Sequence, residues 1–174
     1  AAYKSGNVIH GFTNIELASM IPISDWAEQI FWLKERFPQH PVFISILHAE
    51  VLVEEEWRSI TRYFNDTGID GFELNLSCSH GMAEAGGGAQ IGGNRNAIKE
   101  VTRWVCEETC LPVMPKLPVM VSDICDNASA AKEAGASAVA AINTINSLPG
   151  IDLYNFTPYP SVNDKSSFSG LSGR

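Results

Sequence analysis

Pro41-Val42-Phe43-Ile44-Ser45-Ile46-Leu47 is a short apolar run, rich in β-branched residues, and it reads as a buried strand. The stretches on either side change period. Upstream, Trp26, Ile30, Leu33 and Phe37 recur at helical spacing across Asp25–Phe37, with Ser24 as the predicted N-cap and Pro38 after the end. Downstream, Trp57, Ile60 and Phe64 mark a helix over Glu54–Asp66, and Gly68 supplies its stop. A strand held between two amphipathic helices is the unit from which an α/β fold is built.

The alternation continues outward. Phe72–Leu76 is the second strand, Ala97–Cys110 a helix, and Pro112–Leu117 the third strand. Ser122 opens a further helix as N-cap, running to Glu133 and ended by Gly135, and Ala138–Ile142 is the fourth strand. The order α-β-α-β-α-β-α-β, with apolar strands, predicts a parallel sheet covered by helices. Asn143–Arg174, rich in Gly, Pro, Ser and Asn, reads as a long loop. No internal repeat and no separate domain boundary is visible.

With 174 residues, 45% of them hydrophobic and 18% charged, the chain suits one domain with a real core. A complete (β/α)₈ barrel takes about 250 residues, with roughly 200 as a lower limit, so a barrel of this length is a partial one. The 12 basic residues are outnumbered by 20 acidic ones, for a net charge of −8, which argues against a nucleic-acid partner. No run of 18 apolar residues predicts a membrane span, and Ala1–Gly6 lacks the apolar core of a signal peptide. Cys78, Cys106, Cys110 and Cys125 show no disulfide spacing and read as free thiols of a reducing, cytoplasmic compartment. Cys106 and Cys110 sit four apart with no nearby ligand to complete a metal site, so no metal is predicted.

Ligands of parallel α/β folds bind beyond the carboxyl ends of the strands. Strand two runs into Asn75-Leu76-Ser77-Cys78-Ser79-His80, strand three ends at Lys116, and strand four at Asn143-Thr144. Strand one ends near His48, and Asn14 is placed in a loop before the first helix. Three carboxamides, a thiol and an ammonium thus collect at strand ends, with no paired carboxylates among them. An amide both donates and accepts, which suits a neutral heterocycle whose edge alternates C=O and N–H. Asn75 and Asn143 serve equally well as local loop caps. Lys116 can stabilise negative charge on a ring, act as a base or form a Schiff base, or simply face solvent. Cys78 can act as a proton donor or as a small buried hydrophobe. The glycine-rich loop Gly81–Gly93 fails both nucleotide motifs: Ile91 stands where G-x-G-x-x-G counted from Gly86 needs its last glycine, and no Gly-Lys-[Ser/Thr] follows. It reads instead as a mobile active-site loop begun by His80. The serine-rich Lys165–Gly173 can offer backbone N–H groups to an anion.

Phe72-Glu73-Leu74-Asn75-Leu76-Ser77-Cys78-Ser79-His80-Gly81-Met82 resembles the E-L-N-L-S-C-P-H-G-M segment of dihydropyrimidine dehydrogenases. Ala141-Ile142-Asn143-Thr144 is similar to their A-x-N-T, and Ser169-Gly170-Leu171-Ser172-Gly173 to their [GS]-G-x-S-G. Asn14-Ile15-Glu16-Leu17 and the Lys116 strand fall in matching order. Dihydroorotate dehydrogenases share much of the pattern, but their counterpart of His80 is usually Asn.

The resemblance implies the FMN-binding TIM (β/α)₈ barrel, present here over 1–174 as a central part of about four parallel strands with covering helices, truncated at both ends. It implies reduction of the C5=C6 bond of uracil or thymine in pyrimidine catabolism, with hydride from reduced FMN to C6 and a proton from Cys78 to C5. Asn14, Asn75, Asn143 and Thr144 match pyrimidine-holding residues. Lys116, Ser172 and Gly173 match cofactor-binding ones. NAD(P)H and iron–sulfur clusters are expected only in other domains or an electron-donating partner subunit, and the assembly is expected to be oligomeric. Ser79 replaces the family's Pro. Leu117-Pro118-Val119-Met120 stands in place of Leu-Thr-Pro-Asn, and Ala83–Gly88 lacks the family's Arg. The family's first strands would precede Ala1, and its phosphate-binding strands would follow Arg174. A dihydroorotate dehydrogenase is the alternative enzyme, and a degenerate, non-catalytic assembly domain the alternative of another class.

Overall fold

The computed structural model describes residues 2–15, 18–48, 52–78, 87–119, 121–148, 150–159 and 169–173. The elements in order are β1 (Ala2–Ser5), β2 (Val8–Asn14), α1 (Ile23–Arg36), β3 (Phe43–Ile46), α2 (Glu54–Asn65), β4 (Gly71–Asn75), α3 (Ala89–Gly92), α4 (Arg95–Glu108), β5 (Val113–Leu117), α5 (Ile124–Glu133), β6 (Ala140–Ala141), β7 (Ile145–Ser147), β8 (Gly150–Ile151), β9 (Pro158–Tyr159) and β10 (Ser169–Gly173). They form two compact units, Ser19–Ile142 and the pair of segments Ala1–Ala18 and Asn143–Arg174.

In the Ser19–Ile142 unit, β3, β4, β5 and β6 lie side by side in chain order, every pair parallel. The order never reverses. Right-handed crossovers then carry each connecting helix to the same face of the sheet, which is barrel winding. A doubly wound sheet would reverse at a switch point. The predicted α/β architecture and its four parallel strands therefore stand.

Each strand turns alternate residues to opposite faces. Ile46, Phe72, Leu74, Val113 and Leu117 are buried against Trp57, Phe64, Ile98, Val101, Val105, Ala130 and Ala131 of the helices, forming one core. Full burial of each large side chain contributes about 1.5–3 kcal/mol. The opposite face carries Ser45, Glu73, Asn75, Met114 and Lys116, as the register Ser45↔Glu73↔Met114 and Asn75↔Lys116 requires.

The helix starts follow local hydrogen bonding more closely than the apolar period implies. α1 begins after Pro22, and the hydroxyl of Ser24 donates to the Asp25 carboxylate at 3.1 Å, so Ser24 is not the cap. Likewise α5 is capped by Asp123, whose Oδ1 accepts from Cys125 N at 2.8 Å and Asp126 N at 3.2 Å, and not by Ser122. The backbone puts Asp123, not Ser122, at the half-in position from which one carboxylate oxygen reaches both amides. Asn94 caps α4 in the same way. Gly68 and Gly135 take φ of +81° and +101° at the predicted stops.

The other unit differs from the expected long loop. β1, β2, β10 and β7 form an antiparallel sheet in that order, and β8 pairs with β9. Asn14, read as a loop residue, closes β2 opposite Gly170. β7 and β10 are short and rich in Gly, Ser and Asn, so they carry no alternating apolar signal. Pairing with β2, some 160 residues away in sequence at Ser172–Phe12, is what makes β10 a strand.

Ion pairs join the helices at the surface. Arg58 on α2 meets Glu54, Glu107 and Glu108, and Arg62 meets Glu55 and Glu108. Arg95 and Lys99 on α4 converge on Glu133 of α5. Hydrogen bonds from Arg58 chiefly, and from Arg62, hold the Glu108 carboxyl below the usual carboxylate range; Lys99 and Arg95 do the same for Glu133. A depressed carboxylate adds stability that is present above its unfolded pKa and lost as pH falls through its folded one. The melting temperature is therefore expected to hold above about pH 5 and to fall below about pH 4. Glu108→Gln is expected to flatten that acid slope in thermal melts at pH 3 to 7; an identical slope would exclude Glu108 from the effect.

Candidate functional site

The carboxyl end of the parallel sheet is built by β4 and β5. Parallel pairing sets Asn75 opposite Lys116, on the face turned away from the helices. Beneath them, Ser45 of β3 is paired with Glu73 of β4. Glu73 Oε1 accepts from Ser45 Oγ at 2.7 Å and from Lys116 Nζ at 3.0 Å. Both ends of the ion pair are partly shielded, at 24% exposure for Lys116 and 20% for Glu73. Lys116 is thus a partnered lysine.

Glu73 is the residue the sequence reading missed: a carboxylate does lie among the amides and the ammonium. Its signal was the period of two. Glu73 precedes Asn75 by two residues, so the strand that presents one presents the other. The apolar character of Phe72, Leu74 and Leu76 concealed the alternation.

Asn75 and Cys78 bracket the turn that leaves β4. Asn75 Oδ1 accepts from Ser77 N at 3.3 Å and Ser77 Oγ at 2.9 Å, which spends its acceptor on the local cap foreseen as one reading of this residue. Cys78 follows half-buried, with its thiol free of any disulfide.

The turn is backed by glycine. Ala89 N donates to the Cys78 carbonyl at 2.9 Å, and α3 runs directly behind. Gly88 has φ +50° and ψ −119°, a region that glycine alone enters freely, and a Cβ there would meet Cys78 Cβ at 3.2 Å and its carbonyl oxygen closer still. A Cβ on Gly92 would meet the Leu76 carbonyl and the Pro118 ring, the latter at 2.6 Å. Asn127 of α5, buried, donates to the Gly92 carbonyl at 2.9 Å and locks this backing in place. Gly88 and Gly92 therefore support the Cys78 turn by close approach. His80 and residues 81–86 of the predicted loop lie outside the described residues, as do residues 165–168 of the serine-rich segment.

His48, after β3, is engaged by Glu56 of α2. A surface depression of about 600 Å³ between α1 and the turn at Asp66–Gly68 lies at the amino end of β4 and contains none of the candidate residues.

The remaining candidates belong to the antiparallel unit. Asn143 Oδ1 accepts from Thr144 N at 2.9 Å. Thr144 packs on Gly170 so tightly that a Cβ there would meet Thr144 Cβ at 2.7 Å. Asn14 is opposite Gly170, Ser172 is opposite Phe12, and Gly173 is opposite Gly11. Ser172 Oγ lies 3.4 Å from the Phe12 carbonyl, to which it donates. Asn14, Thr144, Ser172 and Gly173 are thereby tied to one sheet.

Residues 11–174 match the family model described as "Dihydroorotate dehydrogenase". The chain is 34% identical over 168 residues to the NAD-dependent dihydropyrimidine dehydrogenase subunit PreA of Escherichia coli (strain K12), covering 94% of this chain and 39% of that protein. It is 33% identical over 162 residues to the chloroplastic dihydropyrimidine dehydrogenase (NADP(+)) of Arabidopsis thaliana, covering 93% and 38%. Against the catalytic subunit of dihydroorotate dehydrogenase B (NAD(+)) of Pyrococcus abyssi it is 38% identical over 140 residues, covering 80% and 42%. The chain thus spans about two fifths of the length of these relatives. Among solved structures, the carboxyl transferase domain of Rhizobium etli pyruvate carboxylase with 3-hydroxypyruvate is similar in fold, at TM-score 0.50 and 15% identity over 70% of this chain and 19% of that one.

Gly92→Ala is expected to destabilise the fold by about 1–3 kcal/mol, because backbone and a proline ring oppose the new methyl. Urea denaturation measures it. A midpoint equal to wild type would remove the close-approach role of Gly92.

Proposed function

The chain belongs to the dihydroorotate dehydrogenase family, with a domain like that of the dihydropyrimidine dehydrogenases, and on that premise we propose that it is the pyrimidine-facing part of an FMN-dependent oxidoreductase that reduces the C5=C6 bond of uracil or thymine. The observation that carries the proposal is the neighbourhood of Asn75 and Lys116 on the open sheet face, with Cys78 in the turn just beyond. In extent it is a partial (β/α) barrel domain over 1–174.

The residues suit a flavin ring. Its pyrimidine edge carries carbonyl groups, and the Lys116 ammonium beside the Asn75 amide N–H groups offers donors for them. When bound, reduced FMN supplies a hydride to C6 of the substrate. Cys78 donates its thiol proton at C5 and is then reprotonated from solvent, so the ring gains one hydride and one proton in all. Asn14, Asn75, Asn143 and Thr144 are the residues proposed to hold the pyrimidine. Lys116 stabilises negative charge next to the cofactor, and Ser172 and Gly173 contact the cofactor through the β10 backbone. Electrons come from NAD(P)H by way of iron–sulfur clusters in another domain or a partner subunit of an oligomeric, cytoplasmic assembly.

The 38% identity to a dihydroorotate dehydrogenase B catalytic subunit favours a second reading, oxidation of dihydroorotate by the same residues. His80, where those enzymes usually have Asn, favours the first. Side-by-side assays with uracil, thymine and dihydroorotate separate the two.

Cys78→Ala in the intact protein is expected to lower uracil reduction by about 10²–10⁴-fold, the range of a positioned general acid, while flavin absorbance is retained. Turnover equal to wild type would end the assignment of Cys78 as proton donor.

A further inference from the structure

Lys116 does not stand alone at the sheet end. Its Cα is level with Asn75, yet its ammonium leans back to Glu73, one layer deeper. Two residues along a strand is about 6.6 Å, a span that the four-carbon lysine stem covers. Glu73 is in turn fixed from the other side by Ser45 Oγ at 2.7 Å. Three adjacent strands thereby contribute one chain of contacts, Ser45–Glu73–Lys116, on the face that carries Asn75.

We propose that Glu73 is the positioning residue for Lys116: it holds the ammonium at one place and offsets part of its charge, so setting how strongly Lys116 favours negative charge on a bound flavin. This rests on the flavin reading given above. An ammonium has three N–H donors, and Glu73 takes one, which leaves two for a ligand. A carboxylate 3.0 Å from the ammonium turns a net positive charge into a dipole, whose field falls off faster with distance. The partial shielding of both groups keeps water from screening the pair completely. Ser45 has no charge of its own to add; its hydroxyl keeps Glu73 from swinging out to solvent.

Two arms test this in the intact protein. In flavin-free protein, reductive methylation followed by mass spectrometry reads how firmly each lysine is held. Glu73→Gln is expected to speed labelling of Lys116 several-fold, with Lys99 and Lys132 unchanged as internal references. Equal labelling of Lys116 in both proteins would overturn the positioning role, and faster labelling of all three lysines would mark a folding defect, for which Ser45→Ala, expected to speed Lys116 alone, is the second variant. In flavin-loaded protein, Glu73→Gln is expected to raise the two-electron flavin potential by about 30 mV, a tenfold gain in the reduction equilibrium, because the ammonium is no longer offset. Lys116→Met should lower the potential. An unchanged or lowered potential in Glu73→Gln overturns the charge-offset role. Failure of the wild-type protein to take up flavin would instead overturn the flavin reading, while the labelling arm still decides whether Glu73 holds Lys116.

Discussion

The register between β4 and β5 governs the rest of the structure. Phe72 and Leu74 face the helices together with Val113 and Leu117, while Glu73 and Asn75 share the other face with Met114 and Lys116. A slip of one residue would exchange the two sets. It would carry the β4 carboxylate or the β5 ammonium, whichever strand slipped, into a core in which Phe72, Leu74 and Leu117 have no exposed surface. Burying an ion among apolar atoms costs several kcal/mol even after relaxation. The core therefore selects the register, and the register delivers Asn75 and Lys116 to adjacent positions at the carboxyl end. Packing and chemistry here are two faces of one alternation.

The helices hold that sheet mainly through Trp57, Phe64, Ile98, Val101, Val105 and the small Ala130 and Ala131, which let α5 approach closely. The ion pairs of Arg58, Arg62, Arg95 and Lys99 are within reach of solvent, which screens them, so they add less than the apolar contacts do. They also link particular helices: Arg58 and Arg62 of α2 reach the Glu107–Glu108 end of α4, and Arg95 and Lys99 of α4 reach Glu133 of α5. Behind the site, Gly88 and Gly92 admit a backbone-to-backbone approach that no side chain allows, and Asn127 secures it from α5. The turn bearing Cys78 is thus braced by the same helix layer that buries the core.

Much of this was legible in the residues. Trp57, Ile60 and Phe64 at helical spacing, and the apolar strands at Phe43, Phe72 and Val113, follow directly from burying one face of each element. Asn75, Cys78 and Lys116 were found because ligand sites in parallel folds lie at strand ends. Glu73 escaped because its strand was read as uniformly apolar, and a carboxylate inside such a strand has meaning only once its cross-strand partner is known. The N-caps at Asp123 and Pro22 escaped for a related reason: a serine next to the helix start is as good a cap by type as an aspartate, and only the backbone angle chooses.

The sequence by itself determined which segments are amphipathic helices, which are buried strands, that the strands run parallel, and which polar residues end them, because these follow from periods of 3.6 and 2 along a single chain. The tertiary structure alone decided that Ser45, Glu73 and Lys116 form one chain of contacts, and that Ser169–Gly173 is a strand beside Val8–Asn14. The physical reason is the same in both cases. A hydrogen bond or ion pair between distant positions is a property of register between elements, and no local pattern along the chain encodes it.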